Sequence, residues 1–242
     1  MSGSSYANAE SNFLFWIRWL FIFSIFSTLL LFAHTPARAQ NMDAREIAKR
    51  LQQTYEKATD VVADFKQTTT MKFSSRIRHG NGTMIFAKPG RMRWDYLSPD
   101  YQVLISDGKT ISMYFEKSNQ MIISNAKEYL QSDVTYSFFA GTGDILRDFD
   151  VSTPEVSNNR KDSFLIKLTP KSSQPQVASI LAWVTNDTFL IDHLQIVDHF
   201  DTVTDLFFSN IQINSDYYGS RRINDQLFTF LPPADTEIIQ QY

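Results

Sequence analysis

The sequence has no cysteine among its 242 residues, which excludes disulfide bonds, thiolate metal sites, cysteine nucleophiles and lipid-modified cysteines. It also has no excess of basic side chains. The 23 Lys and Arg residues face 26 Asp and Glu residues, so the chain has too few cations for a typical nucleic-acid partner. With 43% hydrophobic and 20% charged residues, the composition is that of a folded globular domain.

Catalytic motifs are missing as well. The chain has no nucleophile elbow, zinc-protease helix, phosphate-binding loop or dinucleotide-binding loop, so an enzyme is the least favoured class. Two histidines, His193 and His199, lie close in sequence to Asp192, Asp198 and Asp201. Strand alternation would put Asp192 and His193 on opposite faces, so we expect no metal site and no cofactor.

One long hydrophobic run lies near the N-terminus, from Phe13 to Phe32, and is followed by Pro36 and the small-x-small sequence Ala37-Arg38-Ala39. This pattern predicts a secretory signal peptide over residues 1–39, cleaved after Ala39. An uncleaved anchor helix is the alternative, because such a run is just long enough to span a bilayer. No repeat or low-complexity linker interrupts the rest, so we expect a single domain over residues 40–242.

The exported part begins with a helix pattern. Asp43 followed three residues later by a glutamate predicts a capping box. Ile47, Leu51 and Tyr55 then recur at a spacing of four residues, which predicts an amphipathic helix over Ala44–Lys57.

From Val61 onward the hydrophobic period changes to two, as in strands with one apolar and one solvated face. Met92, Trp94 and Tyr96 share one face, and carboxylates such as Asp64 and Asp95 are expected on solvated faces. Frequent turn signals separate the short runs, which must therefore pair antiparallel. A second block of strands is predicted at residues 164–169, 179–185, 189–197, 203–213 and 227–230.

The segment between the two blocks, residues 128–149, lacks strand alternation and has Gly141 and Gly143 at its centre. It predicts two short apolar helices hinged on glycine. The fold class is therefore α+β, with one antiparallel sheet of about ten strands that curls into a plugged or a partly open barrel. Periodicity alone does not distinguish a filled core from an apolar cavity that opens to acyl chains.

A set of short motifs spans essentially all of residues 43–242: Ala63-x-Phe65-x-Gln67, Gly82, Phe86 to Tyr96, Pro99, Ser106 to Thr110, Tyr114, Leu168 to Lys171, and Phe228 to Pro233. Together these motifs resemble the periplasmic outer-membrane lipoprotein carrier family, LolA. The block from Lys88 to Gly108 is the most specific.

The resemblance implies an unclosed antiparallel half-barrel, covered by the N-terminal helix and a short helical lid, with an apolar cavity for acyl chains. It implies a monomeric periplasmic chaperone without catalytic activity. The residues expected at the cavity are Leu51, Tyr55, Phe65, Trp94 and Tyr96. Met92 takes the position associated with loading and partner contact, and Gly141 and Gly143 would form the lid hinge.

One position departs from the family pattern. The family commonly has arginine before the proline of this strand, where it hydrogen-bonds the lid, and this chain has Lys88. A lysine offers one compact ammonium in place of a planar fork, which weakens a lock made of several bonds. Either the lid is looser here, or the neighbouring Arg91 or Arg93 takes part.

The partners implied by the resemblance are acylated lipoproteins, an ATP-driven inner-membrane extractor and an outer-membrane receptor. Taking two or three acyl chains into water costs more than about 20 kcal/mol, so the energy must come from the extractor. The absence of cysteine favours the soluble carrier over a lipid-anchored receptor. The alternative is a half-barrel sensor that binds a lipid or an envelope protein and signals to a membrane partner, although such modules usually carry a second domain.

Overall fold

A computed structural model describes residues 42–74, 76–127, 143–174 and 176–241. These residues fall in one unit, Met42–Tyr242. The predicted signal peptide and most of the segment between the strand blocks lie outside the described residues. None of the described helices combines the length and the hydropathy needed to cross a membrane.

Helix α1 spans Ala44–Lys57, as the hydrophobic period predicts. One side of it is buried, including Ile47, Leu51 and Tyr55. The predicted capping box was wrong, because the Asp43 side chain makes no capping hydrogen bond. The first-turn glutamate instead pairs with Arg50 one turn later, at 2.9 Å between Nε and Oε1.

The strands of the first block are β1 Asp60–Met71, β2 Arg76–Ala87, β3 Arg91–Ser98, β4 Gln102–Asp107, β5 Thr110–Phe115 and β6 Gln120–Asn125. Those of the second block are β7 Phe149–Ser152, β8 Ser163–Pro170, β9 Ser179–Thr185, β10 Ile191–Val197, β11 Val203–Ile213, β12 Tyr217–Tyr218, β13 Arg221–Arg222 and β14 Glu237–Gln240. Phe189 was predicted to begin a strand, but it lies in a turn with φ of 54°.

Twelve of these strands form one sheet in the order β14-β6-β5-β4-β3-β2-β1-β11-β10-β9-β8-β7. Neighbours pair antiparallel, except that β14 runs parallel to β6. The two edge strands, β14 and β7, do not pair with each other in the described structure, so the sheet is not closed. The prediction of an unclosed, mainly antiparallel half-barrel in an α+β fold is confirmed.

The two faces of the sheet are covered differently. The helix-covered face carries the main apolar core, which contains the buried side of α1 together with sheet side chains such as Phe65, Met92 and Trp94. The outer face is covered over β2 to β6 by residues 217–230, here called the C-terminal strap, which buries Leu227 and Phe228.

The strap overturns two predictions. Asp95 is buried beneath it, with 7% of its surface exposed, so this part of β3 has no solvated face. Residues 227–230 are not a strand, because Asp225–Phe228 forms a short 3₁₀ helix. The adjacent Leu227 and Phe228 are both buried, which the alternation of a strand does not allow.

Helix α2 spans only Ile145–Asp148 and leads directly into β7. Its position fits the second of the two helices predicted for residues 128–149. Gly143 precedes it, whereas Gly141 lies outside the described residues.

Candidate functional site

Trp94 lies at the centre of an aromatic cluster on the helix-covered face. Its ring centroid is 4.8 Å from that of Phe65 and 5.9 Å from that of Phe86. Tyr96 and Phe208 lie 6.5 Å and 6.2 Å away. Four strands contribute these rings, because β1, β2, β3 and β11 are neighbours in the sheet. The cluster is a wide apolar surface assembled at the middle of the sheet.

Tyr96 forms the polar edge of this cluster. It is half-buried, and its hydroxyl donates a hydrogen bond to Gln67 Oε1 at 2.9 Å. Its ring also packs edge-on against Phe65 at 4.8 Å. The cluster therefore passes from a dry centre at Trp94 to a hydrogen-bonded edge at Tyr96.

Helix α1 lies over the same apolar core. Leu51 is fully buried and Tyr55 is 6% exposed. The Tyr55 hydroxyl accepts a hydrogen bond from the backbone N–H of Ile191 at 3.3 Å. Burial raises the pKa of Tyr55, so the phenol stays neutral under physiological conditions.

Lys88 ties the end of α1 to the sheet. Its ammonium donates to the carbonyl oxygens of Tyr55 at 2.8 Å and Glu56 at 2.7 Å. Both carbonyls belong to the last turn of the helix, where a cation also meets the negative end of the helix dipole. One lysine thus makes two hydrogen bonds to the covering helix.

A second polar connection joins α1 to the start of α2. Gln52 accepts a hydrogen bond from the Ile145 backbone N–H at 3.0 Å, and its amide donates to the Gly143 carbonyl at 3.4 Å. Gln52 and Gly143 line a groove of about 210 Å³ that also includes Lys88 and Arg147. The covering elements are therefore linked by a few side chains on a solvent-accessible groove.

Arg91 and Arg93 turn toward the C-terminal strap instead of the helix. Arg91 pairs with Asp225 at 2.5 Å and donates to the Lys88 carbonyl at 2.8 Å. Arg93 makes two hydrogen bonds to Asp95, at 2.7 Å and 2.8 Å, and one to the Leu227 carbonyl. Burial opposes the charge of Arg93, but the bonds to Asp95 outweigh it and raise the pKa of the guanidinium.

Tyr218 completes this buried polar group. Its hydroxyl donates to Asp95 Oδ2 at 3.0 Å and also contacts the Thr83 hydroxyl. Burial raises the pKa of Tyr218 to about 12, which keeps the phenol protonated as a donor. Asp95 therefore has partners from both β3 and the strap.

The structure brings Leu51, Tyr55, Phe65 and Trp94 into one buried cluster, with Tyr96 at its edge. Met92 lies in the same core and is fully buried, so a partner could touch it only after this core opens. The sequence analysis missed Phe86 and Phe208, although both lie on the same face of the sheet as Phe65 and Trp94. It also missed Gln52, which no periodicity marks as functional.

Among the described residues, no group of three or more His, Asp or Glu side chains could hold a metal ion. A bulge between Ile191 and His193 breaks the simple alternation assumed for Asp192. Asp192 pairs with Arg160. His193 bonds Asp205 at 2.9 Å and stacks between Trp183 and Phe207 on the outer face.

Comparison with known families supports a relationship over most of the chain. The sequence profile described as "Outer membrane lipoprotein carrier protein LolA" matches residues 56–230. A protein from Nitrosomonas europaea named "Outer-membrane lipoprotein carrier protein" is 29% identical over 192 residues, which cover 79% of this chain and 88% of the relative. A protein of the same name from Pseudomonas syringae pv. tomato is 25% identical over 217 residues, covering 90% and 97%.

Among solved structures, an uncharacterized conserved protein from Thermus thermophilus superimposes with a TM-score of 0.52 at 12% identity. The alignment covers 82% of this chain and 99% of that protein. At this identity the match supports the fold alone.

Proposed function

Because the chain belongs to the LolA family of outer membrane lipoprotein carrier proteins, we propose that it is a periplasmic chaperone for acylated lipoproteins. It takes the acyl chains onto the aromatic cluster around Trp94 and carries them to an outer-membrane receptor. It binds these lipoproteins and catalyses no reaction.

The observation that carries this proposal is the combination of a large apolar core with a covering helix that has only a few polar connections. Trp94 and Phe65 are buried at 2% exposure each, in the same core as the buried side of α1. Lys88 and Gln52 provide polar connections that can break and reform in water. Acyl chains that replace the helix would meet the same apolar surface, so little hydrophobic contact would be lost on loading.

The proposal includes export and two membrane partners. Residues 1–39 direct export and are removed after Ala39, which leaves a carrier with no cysteine for its own lipid anchor. An ATP-driven inner-membrane extractor supplies the energy for lifting the lipoprotein. The carrier must bind its cargo less tightly than the receptor does, so that transfer runs outward.

The experiment is release of a newly made lipoprotein from inner-membrane preparations supplied with the extractor and ATP. We expect the exported protein to release cargo and Trp94→Glu to reduce release at least about tenfold, because a carboxylate within the apolar cluster is strongly disfavoured. The matched control is Trp183→Glu, which places the same change on the outer face and should leave release unchanged.

Both variants need a cooperative thermal unfolding transition before release is compared. If Trp94→Glu does not fold, Tyr96→Glu places the charge at the half-buried edge of the same cluster. A folded cluster variant that releases cargo as well as the parent protein would remove the aromatic cluster from the binding site. Failure of the parent protein itself to release lipoprotein would overturn the function.

A further inference from the structure

Two neighbouring turns at one end of the sheet leave large apolar side chains in solvent. The β1–β2 turn carries Phe73, 85% exposed, and the β10–β11 turn carries Phe200, 69% exposed. The turns are adjacent because β1 pairs with β11, with Thr70 opposite Val203. Together the two exposed phenylalanines form an apolar patch, and a protein surface that contacts only water does not require such a patch.

Hydrogen bonds hold both turns in place. Lys72 Nζ bonds Asp201 Oδ2 at 2.8 Å and so joins one turn to the other. The Asp198 carboxylate accepts hydrogen bonds from the backbone N–H groups of Phe200 and Thr202, at 2.7 Å and 2.8 Å. Phe200 is therefore presented by a defined turn, and both local carboxylates are already engaged.

The β1–β2 hairpin is also cationic at its end. Residues 71–80 contain Lys72, Arg76 and Arg78 and no acidic residue. Residues 76–79 are all exposed although they alternate between the two faces, so the hairpin projects beyond the packed part of the sheet. Within the described chain neither arginine forms an ion pair. The whole sequence has a net charge of −3, so this cationic end is a local asymmetry.

Exposed aromatic side chains flanked by cations are suited to the surface of an anionic bilayer. Aromatic rings favour the headgroup boundary of a bilayer, and each basic residue near an anionic lipid surface adds attraction. The tip is also distant from the covering helix. Lys88 follows the far end of β2, and a strand of this length spans roughly 35 to 40 Å.

We propose that Phe73 and Phe200, with Arg76 and Arg78, form a docking tip for anionic phospholipid membranes. The phenylalanines enter the headgroup boundary, and the two arginines bind lipid phosphates, while Lys72 stays paired with Asp201. This inference goes beyond carriage of lipoproteins: it gives the carrier a weak, oriented attachment to the bilayer surface. The attachment uses a part of the fold separate from the cargo site.

The test is flotation of the exported protein with lipid vesicles, after mass spectrometry has verified the absence of residues 1–39. Vesicles of phosphatidylethanolamine and phosphatidylglycerol are compared with vesicles of phosphatidylcholine. We expect binding to the anionic vesicles that weakens as salt is raised. Phe73→Ser/Phe200→Ser and Arg76→Glu/Arg78→Glu should each lower the bound fraction at least about tenfold.

The chain offers a matched control for each variant. Leu231→Ser removes an apolar side chain that is 94% exposed, and Arg221→Glu/Arg222→Glu reverses two exposed arginines on another hairpin. Both controls should bind like the parent protein. Equal binding to the two vesicle types, or equal losses in tip and control variants, would overturn the proposal.

Cargo carriage is measured separately on the same proteins. Trp94→Glu should still bind anionic vesicles, and the tip variants should still hold a lipoprotein, so the two proposals fail independently. If the tip variants lost transfer while their vesicle binding stayed normal, the tip would contact a protein and the lipid proposal would be wrong.

Discussion

Gly82 shows how one residue sets the packing of the aromatic cluster. An added Cβ would lie 1.8 Å from the Asp95 carbonyl oxygen and 3.0 Å from the Phe65 ring. The first contact is with backbone, which no rotamer change can relieve. Gly82 therefore lets β2 approach β3 closely, at the point where Phe65 packs against Tyr96.

We expect Gly82→Ala to lower the free energy of unfolding by about 3 kcal/mol or more, as severe overpacking does. Gly80→Ala is the control, because its Cβ would approach the Tyr96 ring no closer than 3.4 Å and the Ser98 carbonyl oxygen no closer than 3.6 Å. We expect that change to cost less than about 1 kcal/mol. Urea unfolding of both variants measures the difference, and equal losses would show that β2 can shift to accept the methyl group.

His193 gives the protein a specific pH dependence. Burial between Trp183 and Phe207 lowers its pKa from the ordinary value of 6.5, although Asp205 opposes the shift. Asp192 also favours the protonated form, and Arg160 disfavours it. As pH falls below about 6.5, the unfolded chain takes up this proton before the native state does, so the stability of the native state decreases.

We expect the parent protein to lose more unfolding free energy between pH 7.5 and pH 5.5 than His193→Gln loses. Groups distant from His193 are common to both proteins, so their contributions cancel in the comparison. Urea titrations at the two pH values give the four free energies. Parallel losses, or a parent protein that gains stability on acidification, would contradict the assignment.

Helix α1 owes its place to apolar packing along its length and to polar contacts near its end. Leu51 and Tyr55 fix the buried side, and Lys88 fixes the last turn. The expected weakness of a lysine lock is partly offset here, since its single ammonium reaches two carbonyl oxygens. The neighbouring Arg91 and Arg93 bind residues of the strap instead.

We expect Lys88→Met to lower the free energy of unfolding by about 1 to 2 kcal/mol, from the loss of charged hydrogen bonds at a helix C-terminus. Amide hydrogen exchange should quicken in the last turn of α1 more than in the strands. Lys57→Met, on the exposed side of the same turn, is the control and should change stability by less than about 0.5 kcal/mol. Equal changes in unfolding free energy and hydrogen exchange for the two variants would mean that Lys88 does not hold the helix in place.

The sequence predicts features that depend on neighbouring residues, and it does not predict those that depend on contacts between residues far apart in the chain. The bounds of α1 and the shared face of Met92, Trp94 and Tyr96 depend on local period, so they could be predicted. The burial of Arg93 and Asp95 could not. Their covering strap lies more than a hundred residues away in sequence, and alternation alone marks charged residues as solvated.

The whole fold separates three tasks by location. The helix-covered face presents the aromatic cluster, the strap closes the outer face of β2 to β6, and two adjacent turns at the far end of the sheet carry the exposed phenylalanines and cations. The sheet is not closed between β14 and β7 in the described structure. Under the proposed function, this open edge would let the sheet change its curvature as α1 makes way for acyl chains.

Native mass spectrometry of the exported protein, purified after co-expression with a lipoprotein, tests the central claim most directly. We expect a complex with one lipoprotein that carries its acyl chains, and no complex with the same lipoprotein made without acylation. Equal binding of the acylated and non-acylated forms, or no complex with either, would contradict carriage through the apolar cluster.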